Sequence, residues 1–500
     1  MRLPLATKRG QGRSIPLSAE RLINMYAEKA PDSAKSPVVV HGCPGYQVFS
    51  DVASRTGGTA LGKSIRGMHK TPSDGLVYAV MGSELVRVGS DGLVTQLGTI
   101  AGSGRVGMAD NGVQLCIVAG ARGYIYDTTN GLQTITDRDF NGADHVTVID
   151  GFFVFNNRKP GQRGQFYISA LLDGLSFDGL DFATAERYSD NLIRPFADHS
   201  ELLLFGAESI EVWFNSGNAD FPFSRAQGSV IEQGLGASWS VEKLDESVVW
   251  LDNEGIVRRL SGITPVRIST HEIENAILKG DWANAYSWAY VEEGHQFYVL
   301  TVPAANLSQT AGTYVYDAAT QLWHERKSYE KDYLDLGFYV RAYGKHLVAD
   351  ENKIYELSMN YYDEAGEDLV SEMIFPQIQN DGKRFTVHSF QLEIETGNDP
   401  YCAVAAPAPT GLSVNDLDGT NIYFDYDSVL LGVSGSVVRY EFQQSQDGGS
   451  NFEIMGYVNG DQEAIQALPH GLTFPFPDPW VFRMRTEVDG SFSEFITTTS

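Results

Sequence analysis

The sequence predicts an all-β chain: a β-propeller of about seven four-stranded blades, with six as the alternative count, followed by a β-sandwich domain. Three observations lead there. Short apolar runs recur from about residue 45 to 360, each stopped by Gly, Asp or Asn. They fall into groups of up to four that repeat roughly every 40–50 residues, the period of a propeller blade. The 51 Gly and 11% aromatic residues favour turns and strands over a helix bundle.

In chain order, runs 76–81 and 84–88 flank Gly82-Ser83, and 93–97 follows Asp91-Gly92, a meander of tight hairpins. The second unit holds 106–109, 113–119, 124–126 and 132–135. The third has three runs, 146–149, 152–155 and 166–168. The fourth holds 193–196, 202–205, 210–214 and 223–226. The fifth holds 239–243, 248–251, 257–260 and 266–268, and the sixth 285–291, 297–301, 314–316 and 322–325. The seventh has three, 336–339, 346–349 and 353–357. Residues 45–51 can supply its fourth strand and close the ring, which removes sheet edges that would otherwise aggregate. One helix is expected inside the propeller, over 271–279, between Thr270 as N-cap and Gly280 as stop. A string of separate sandwiches is the weaker reading, because no linker divides the units.

The expected domains are an N-terminal arm at 1–44, counted with the second domain as a platform, the propeller at 45–362, and a C-terminal β-sandwich at 363–500 with an insertion near 400–435. The arm opens basic, with Arg2, Lys8, Arg9, Arg13 and Arg21, and its prolines exclude a long helix. A short helical turn is expected near 18–27. An arm this poor in apolar residues orders only against something else. Asp363, Glu364, Glu367 and Asp368 read as an acidic linker.

Lys and Arg number 37 against 64 Asp and Glu, a formal charge of −27, which argues against a general DNA-gripping surface. Cys43, Cys116 and Cys402 are odd in number and far apart, as suits a reducing compartment. The first ten residues lack the apolar core of a signal peptide, and no stretch reaches the ~20 apolar residues of a membrane helix. The expectation is a soluble chain made in the cytoplasm.

Several motifs match enzymes in letter but not in context. Residues 57–64, Gly-Gly-Thr-Ala-Leu-Gly-Lys-Ser, fit the P-loop pattern, yet a strand-like stretch and Pro72 follow where a helix must start. Residues 102–107 fit a dinucleotide fingerprint but lead into another strand and turn. Residues 445–452 look like an Asp-box, which an Asp-Gly-Gly hairpin turn explains. The acidic loop 415–419 lacks the full spacing of a calcium loop, and His271-Glu272 lacks a second His for zinc. No catalytic, cofactor or metal residue is nominated. The aromatic residues of 152–153 and 213–214, with Trp323, read as core. The loop Phe221-Pro222-Phe223 reads as half-exposed.

Beyond these, the chain resembles the tail hub, or nozzle, proteins of short-tailed bacteriophages, the packaged-DNA stabilisation family. The residues that carry the likeness are Leu22-Ile23-Asn24-Met25-Tyr26, Gly42-Cys43-Pro44-Gly45 and the stretch 101–106. To these are added Phe205-Gly206-Ala207-Glu208-Ser209-Ile210-Glu211-Val212-Trp213, Asp220-Phe221-Pro222-Phe223 and 267–271. The resemblance implies a homohexameric ring in the virion tail, below portal and adaptor. It implies that the ring retains packaged DNA and passes it at ejection without sequence-specific contacts. Tail fibres or tailspikes and a needle or plug are the implied partners, and catalysis is not expected. Candidate interface residues are Arg9 and Arg13, the arm anchors Leu22, Ile23 and Tyr26, and Phe221 and Phe223. A glycan-binding or glycoside-cleaving propeller is the alternative.

Overall fold

Along Val77–Met81 every residue is buried, yet successive side chains point to opposite faces. Val77, Ala79 and Met81 pack with Leu347 and Ala349, while Tyr78 and Val80 pack with Leu115 and Ile117. The alternation then passes from unit to unit. Cys116 and Val118 face Phe153 and Phe155; Val154 faces Leu202 and Leu204; Leu203 and Phe205 face Val248 and Trp250. Val249 and Leu251 face Tyr298 and Leu300; Phe297 and Val299 face Val348. Leu347, next to Val348, returns the series to its start. Seven sheets are thus joined face to face in a ring, a seven-bladed propeller.

The computed structural model describes residues 6–13, 18–30, 38–51, 64–185, 191–350 and 352–375, together with the backbone of seven strands between 410 and 499. Blade 1 is Ile65–Lys70, Val77–Met81, Glu84–Val88 and Val94–Thr99. Blade 2 is Gly107–Asp110, Leu115–Ala119, Arg122–Asp127 and Gly131–Thr134. Blade 3 is Val146–Ile149, Phe152–Asn156, Gln165–Ile168 and Phe182–Thr184. Blade 4 is Leu192–Asp198, Glu201–Gly206, Ile210–Asn215 and Phe223–Arg225. Blade 5 is Glu242–Leu244, Ser247–Leu251, Val257–Ser261 and Thr264–Arg267. Blade 6 is Tyr286–Glu292, His295–Val302, Gly312–Asp317 and Leu322–Arg326. In each the first strand is innermost and the last outermost, and every pairing is antiparallel. Blade 7 takes Phe338–Ala342, Lys345–Ala349 and Ile354–Ser358 from one end of the propeller sequence. Its fourth strand, Gly45–Ser50, comes from the other end and pairs antiparallel with Ile354–Ser358, as expected for ring closure.

Four local expectations are corrected. The stretch 18–27 is not helical: it forms strands Arg21–Ile23 and Met25–Lys29, the second in a hairpin with Val38–Gly42. The outer edge of blade 6 offers hydrogen bonds that a lone turn could not match. Blade 3 has its fourth strand at Phe182–Thr184, too short to stand out in the sequence. The helix is His271–Ile277, followed by turn hydrogen bonds Lys279 N–H to Ala276 O and Gly280 N–H to Ile277 O. The acidic stretch is not a free linker: Asp363–Glu364 and Glu367–Asp368 form a hairpin on the edge of blade 7, and Glu364 is buried.

The chain divides into two compact units, at 1–389 and 390–500. The second is all-β where described. Thr410–Asp416 and Ile422–Asp427 form a hairpin, at the place of the expected insertion. Val438–Ser445 lies between Glu453–Asn459 and Val481–Val488 in a separate antiparallel sheet. Residues 57–63, 417–419 and 446–452 of the motifs lie outside the described residues, as does Cys402.

Gly45 opens the closing strand in a tight place. A Cβ there would collide with the backbone carbonyls of Tyr361 and Asp363, and its N–H donates to Tyr361 O at 3.0 Å. Gly45→Ala is expected to destabilise the propeller by about 1–3 kcal/mol through overpacking. Ala at Gly131, where a Cβ meets open space but φ is +72°, should cost less. Urea unfolding midpoints check the order.

Candidate functional site

Two places gather polar groups that the blade pattern does not require: the seat of the arm on blade 6 and the axis of the ring.

The arm is stitched into blade 6. Arg21–Ile23 pairs parallel with the outer strand at Glu325 and antiparallel with Glu372–Ile374, so it is an interior strand of a six-stranded sheet. Leu22 (0% exposed), Ile23 and Tyr26 are buried by the chain itself. Asn24 ends the strand at φ +54°, a left-handed geometry that Asn tolerates better than most residues. Its side chain donates to Lys327 O (2.9 Å) and Val370 O (2.8 Å) and accepts from Lys327 N–H (3.0 Å). One residue thereby ties together the arm, blade 6 and the segment returning from blade 7.

Beside it, Glu325 accepts from Arg9 Nε at 3.0 Å and from Arg21 Nη2 at 2.6 Å. Arg9 also donates to the carbonyls of Gln11 (3.0 Å) and Glu272 (2.6 Å) and lies over Tyr314. Burial pushes the Glu325 carboxyl up, but the hydrogen bonds and charges of Arg21 and Arg9 outweigh it and hold the pKa below its ordinary value.

Of the candidate interface residues, Arg9, Leu22, Ile23, Tyr26 and Phe223 are buried within this chain, where they hold the arm and the blade 3–4 core. Phe221 is half-buried against Phe166 and Phe223, and Arg13 is exposed.

At the axis, the starts of the inner strands converge. A cavity of about 320 Å³ is lined by Arg105 and Gly120 of blade 2, Asp144 and His145 of blade 3, Ser238 and Trp239 of blade 5, and Asn284 and Tyr286 of blade 6. The Arg105 guanidinium lies 4.2 Å from the Phe338 ring centre, 4.6 Å from Tyr286 and 5.4 Å from Trp239. Arg194, 5.7 Å from the Trp239 ring centre, donates to Ser238 O at 3.0 Å. Burial pulls the Arg105 pKa down to about 10, so it stays charged at neutral pH. Burial and the two guanidinia hold the His145 pKa well below its ordinary value, so it stays neutral. Burial raises Glu242 to about 7, against the pull of Arg194 and Arg105.

Sequence reasoning missed this axial group. Arg105 stands inside a stretch singled out for its glycines, and nothing local marks it. Arg194 belongs to blade 4, Trp239 and Glu242 to blade 5, and they meet Arg105 only when the ring closes. Among the described residues no group of His, Cys, Asp and Glu is arranged to hold a metal ion. No helix among them is long and apolar enough to cross a membrane.

The class is now defined: a β-propeller protein whose N-terminal strand completes the last blade and whose arm is built into the ring. The chain belongs to the bacteriophage P22 Gp10 β-propeller family, whose model matches residues 2–362. It is a structural protein of a phage tail. No curated protein matches it. Among solved structures it is similar to the extracellular domain of BT4673 from B. thetaiotaomicron, at 11% identity and TM-score 0.41, over 92% of this chain and 60% of that one. It is also similar to BBS1N in complex with ARL6DN (10%, TM-score 0.38, 63% of this chain and 96% of that one) and to the N-terminal domain of Nup159 (10%, TM-score 0.37, 63% and 95%).

The two glutamates should titrate with opposite sign. Glu325 has a depressed pKa, so its contribution is present above its unfolded value of ~4.3 and is lost as pH falls through the folded value. Glu242 has a raised pKa, so stability falls as pH rises from about 4.5 through about 7. Glu325→Gln should therefore remove stability at pH 7, and progressively less as pH falls through the folded pKa. Glu242→Gln should raise stability at pH 8 and leave it nearly unchanged at pH 4. Denaturant midpoints across that range give the check.

Proposed function

We propose that the chain is a tail hub: six copies form a ring below portal and adaptor that closes the channel on packaged DNA and opens it at ejection. The observation that carries this reading is the match of residues 2–362 to the P22 Gp10 family. Tail fibres or tailspikes and a needle or plug attach to the ring, and no catalysis is involved.

The physical features fit such a part. The arm is an interior strand and the segment after blade 7 returns to the edges of blades 7 and 6, so these two segments share one fixed scaffold. Each copy carries a formal charge of −27, and an acidic wall repels duplex phosphate, which lets DNA slide. Screening confines that repulsion to ~8 Å at physiological salt, so it acts in a narrow channel. Arg13 and Phe221 keep surface that a neighbour can cover.

Negative-stain images of the purified chain and of virions test the reading. A six-fold ring at the tail is expected; a monomer that cleaves a glycan would sink it in favour of the glycan-acting alternative. Arg13→Glu should weaken docking onto hub-less particles several-fold at low salt and less at high salt, with an unchanged melting temperature. Docking at full strength under both conditions would remove Arg13 from the interface.

A further inference from the structure

We propose that the axial cavity of the propeller is a binding site for a small carboxylate ligand, about the size of one sugar ring, gripped by Arg105 with Arg194 behind it. The inference is independent of the hub reading and rests on three observations.

The first is an unspent guanidinium. Arg105 donates from Nη2 to Gly337 O, its one hydrogen bond among the described residues, and its Nε has no partner. Arg66 shows what a purely structural arginine does in this ring. It stands on the first strand of blade 1, reaches the loop that carries Arg105, and spends its donors on the carbonyls of Gly104, Gly82, Ile100 and Ala101. Leaving the buried Nε without an acceptor costs free energy, and a ligand oxygen removes that cost.

The second is the local charge. Arg105 and Arg194 bring two positive charges, and neither has a carboxylate partner within ion-pair distance among the described residues. Glu242 is the carboxyl that both feel. Asp144, at the cavity wall, is paired with Arg158 at 3.2 Å. His145 lines the cavity with its ring unbonded among the described residues, against Trp239 at 4.3 Å between ring centres. Glu242, raised to about 7, offsets at most one of the two positive charges, so the group favours an anion. The guanidinium fork also matches the two oxygens of a carboxylate.

The third is shape and lining. At about 320 Å³ the cavity lies at the small end of ligand pockets. The rings of Trp239 and Tyr286 offer an apolar wall. Ser238 and Asn284 add polar lining, the Asn284 amino group being donated to Asp281 at 2.8 Å. A sugar acid has that combination of one carboxylate, several hydroxyls and an apolar ring face.

The test is titration calorimetry of the full chain with glucuronate, glucose and inorganic phosphate. Saturable binding of glucuronate at one site per chain is expected, with no binding of glucose and phosphate at least ten-fold weaker. Arg105→Gln should weaken glucuronate at least ten-fold while circular dichroism shows an intact fold. If Arg105→Gln does not fold, Arg194→Gln carries the same expectation. No saturable glucuronate binding in the millimolar range, equal binding of glucose, preference for phosphate, or unchanged affinity in a folded variant would each overturn the assignment. A six-fold tail ring could still be seen in any of those cases, so the hub reading is judged separately.

Discussion

The constraint on which the rest depends is that every blade buries both of its faces. The strands Val77–Met81, Leu115–Ala119 and Ser247–Leu251 each send alternate side chains into two different neighbours. A sheet with two apolar faces cannot end a row, since the last one would expose a full layer of Val, Leu and Phe to water at about 25 cal/mol per Å². The row must close on itself. Closure in turn requires that blade 7 receive its outer strand from residues Gly45–Ser50, so the chain's start and the propeller's end are bound together by one pairing.

That pairing has a further consequence for the arm. Once Gly45–Ser50 is fixed on blade 7, the residues before it lie near the edges of blades 6 and 7, and Arg21–Ile23 takes the free edge of Leu322–Arg326. The strand Glu372–Ile374 then covers the other side of the arm. Asn24 and Glu325 convert this stack of three distant segments into one hydrogen-bonded unit. The basic residues at the start of an acidic chain are thus explained in part by a buried glutamate. A buried pair of this kind is strong evidence of a specified position and weaker evidence of net stability, because desolvation offsets much of the attraction.

Period-two burial and turn residues made the blades legible in the sequence, since both signals are local. The helix was visible from Ile273, Ala276 and Ile277, and closure by 45–51 followed from a missing strand. Leu22, Ile23 and Tyr26 were recognised as anchors, but their partner lies some 300 residues away in the chain, and residue type alone cannot say whether an anchor serves its own fold or a neighbour. Arg9 reads as surface until Glu325 is brought beside it. The acidic run at 363–368 reads as solvated because its charge hides the short hairpin it forms. The axial group was illegible for a related reason: six blades contribute to it, and its two arginines, Arg105 and Arg194, stand 89 residues apart in the chain.

The axis also shows how closure and chemistry are linked. Arg105 keeps its place through Phe338 of blade 7, Tyr286 of blade 6 and Trp239 of blade 5, although it belongs to blade 2. Those contacts exist only in the closed ring, because the four segments are brought within reach of one another by the packing of all seven sheets. Opening the ring would return both guanidinia to water, where they are solvated and indifferent to Glu242. The charge left unbalanced at the axis is therefore a product of the fold rather than of composition. A ligand that binds there sees only the closed state, so its binding free energy adds directly to the stability of the ring in proportion to RT ln(1 + [L]/Kd). An acidic chain with a cationic axis thus couples occupancy of that axis to the same closure that seats the arm.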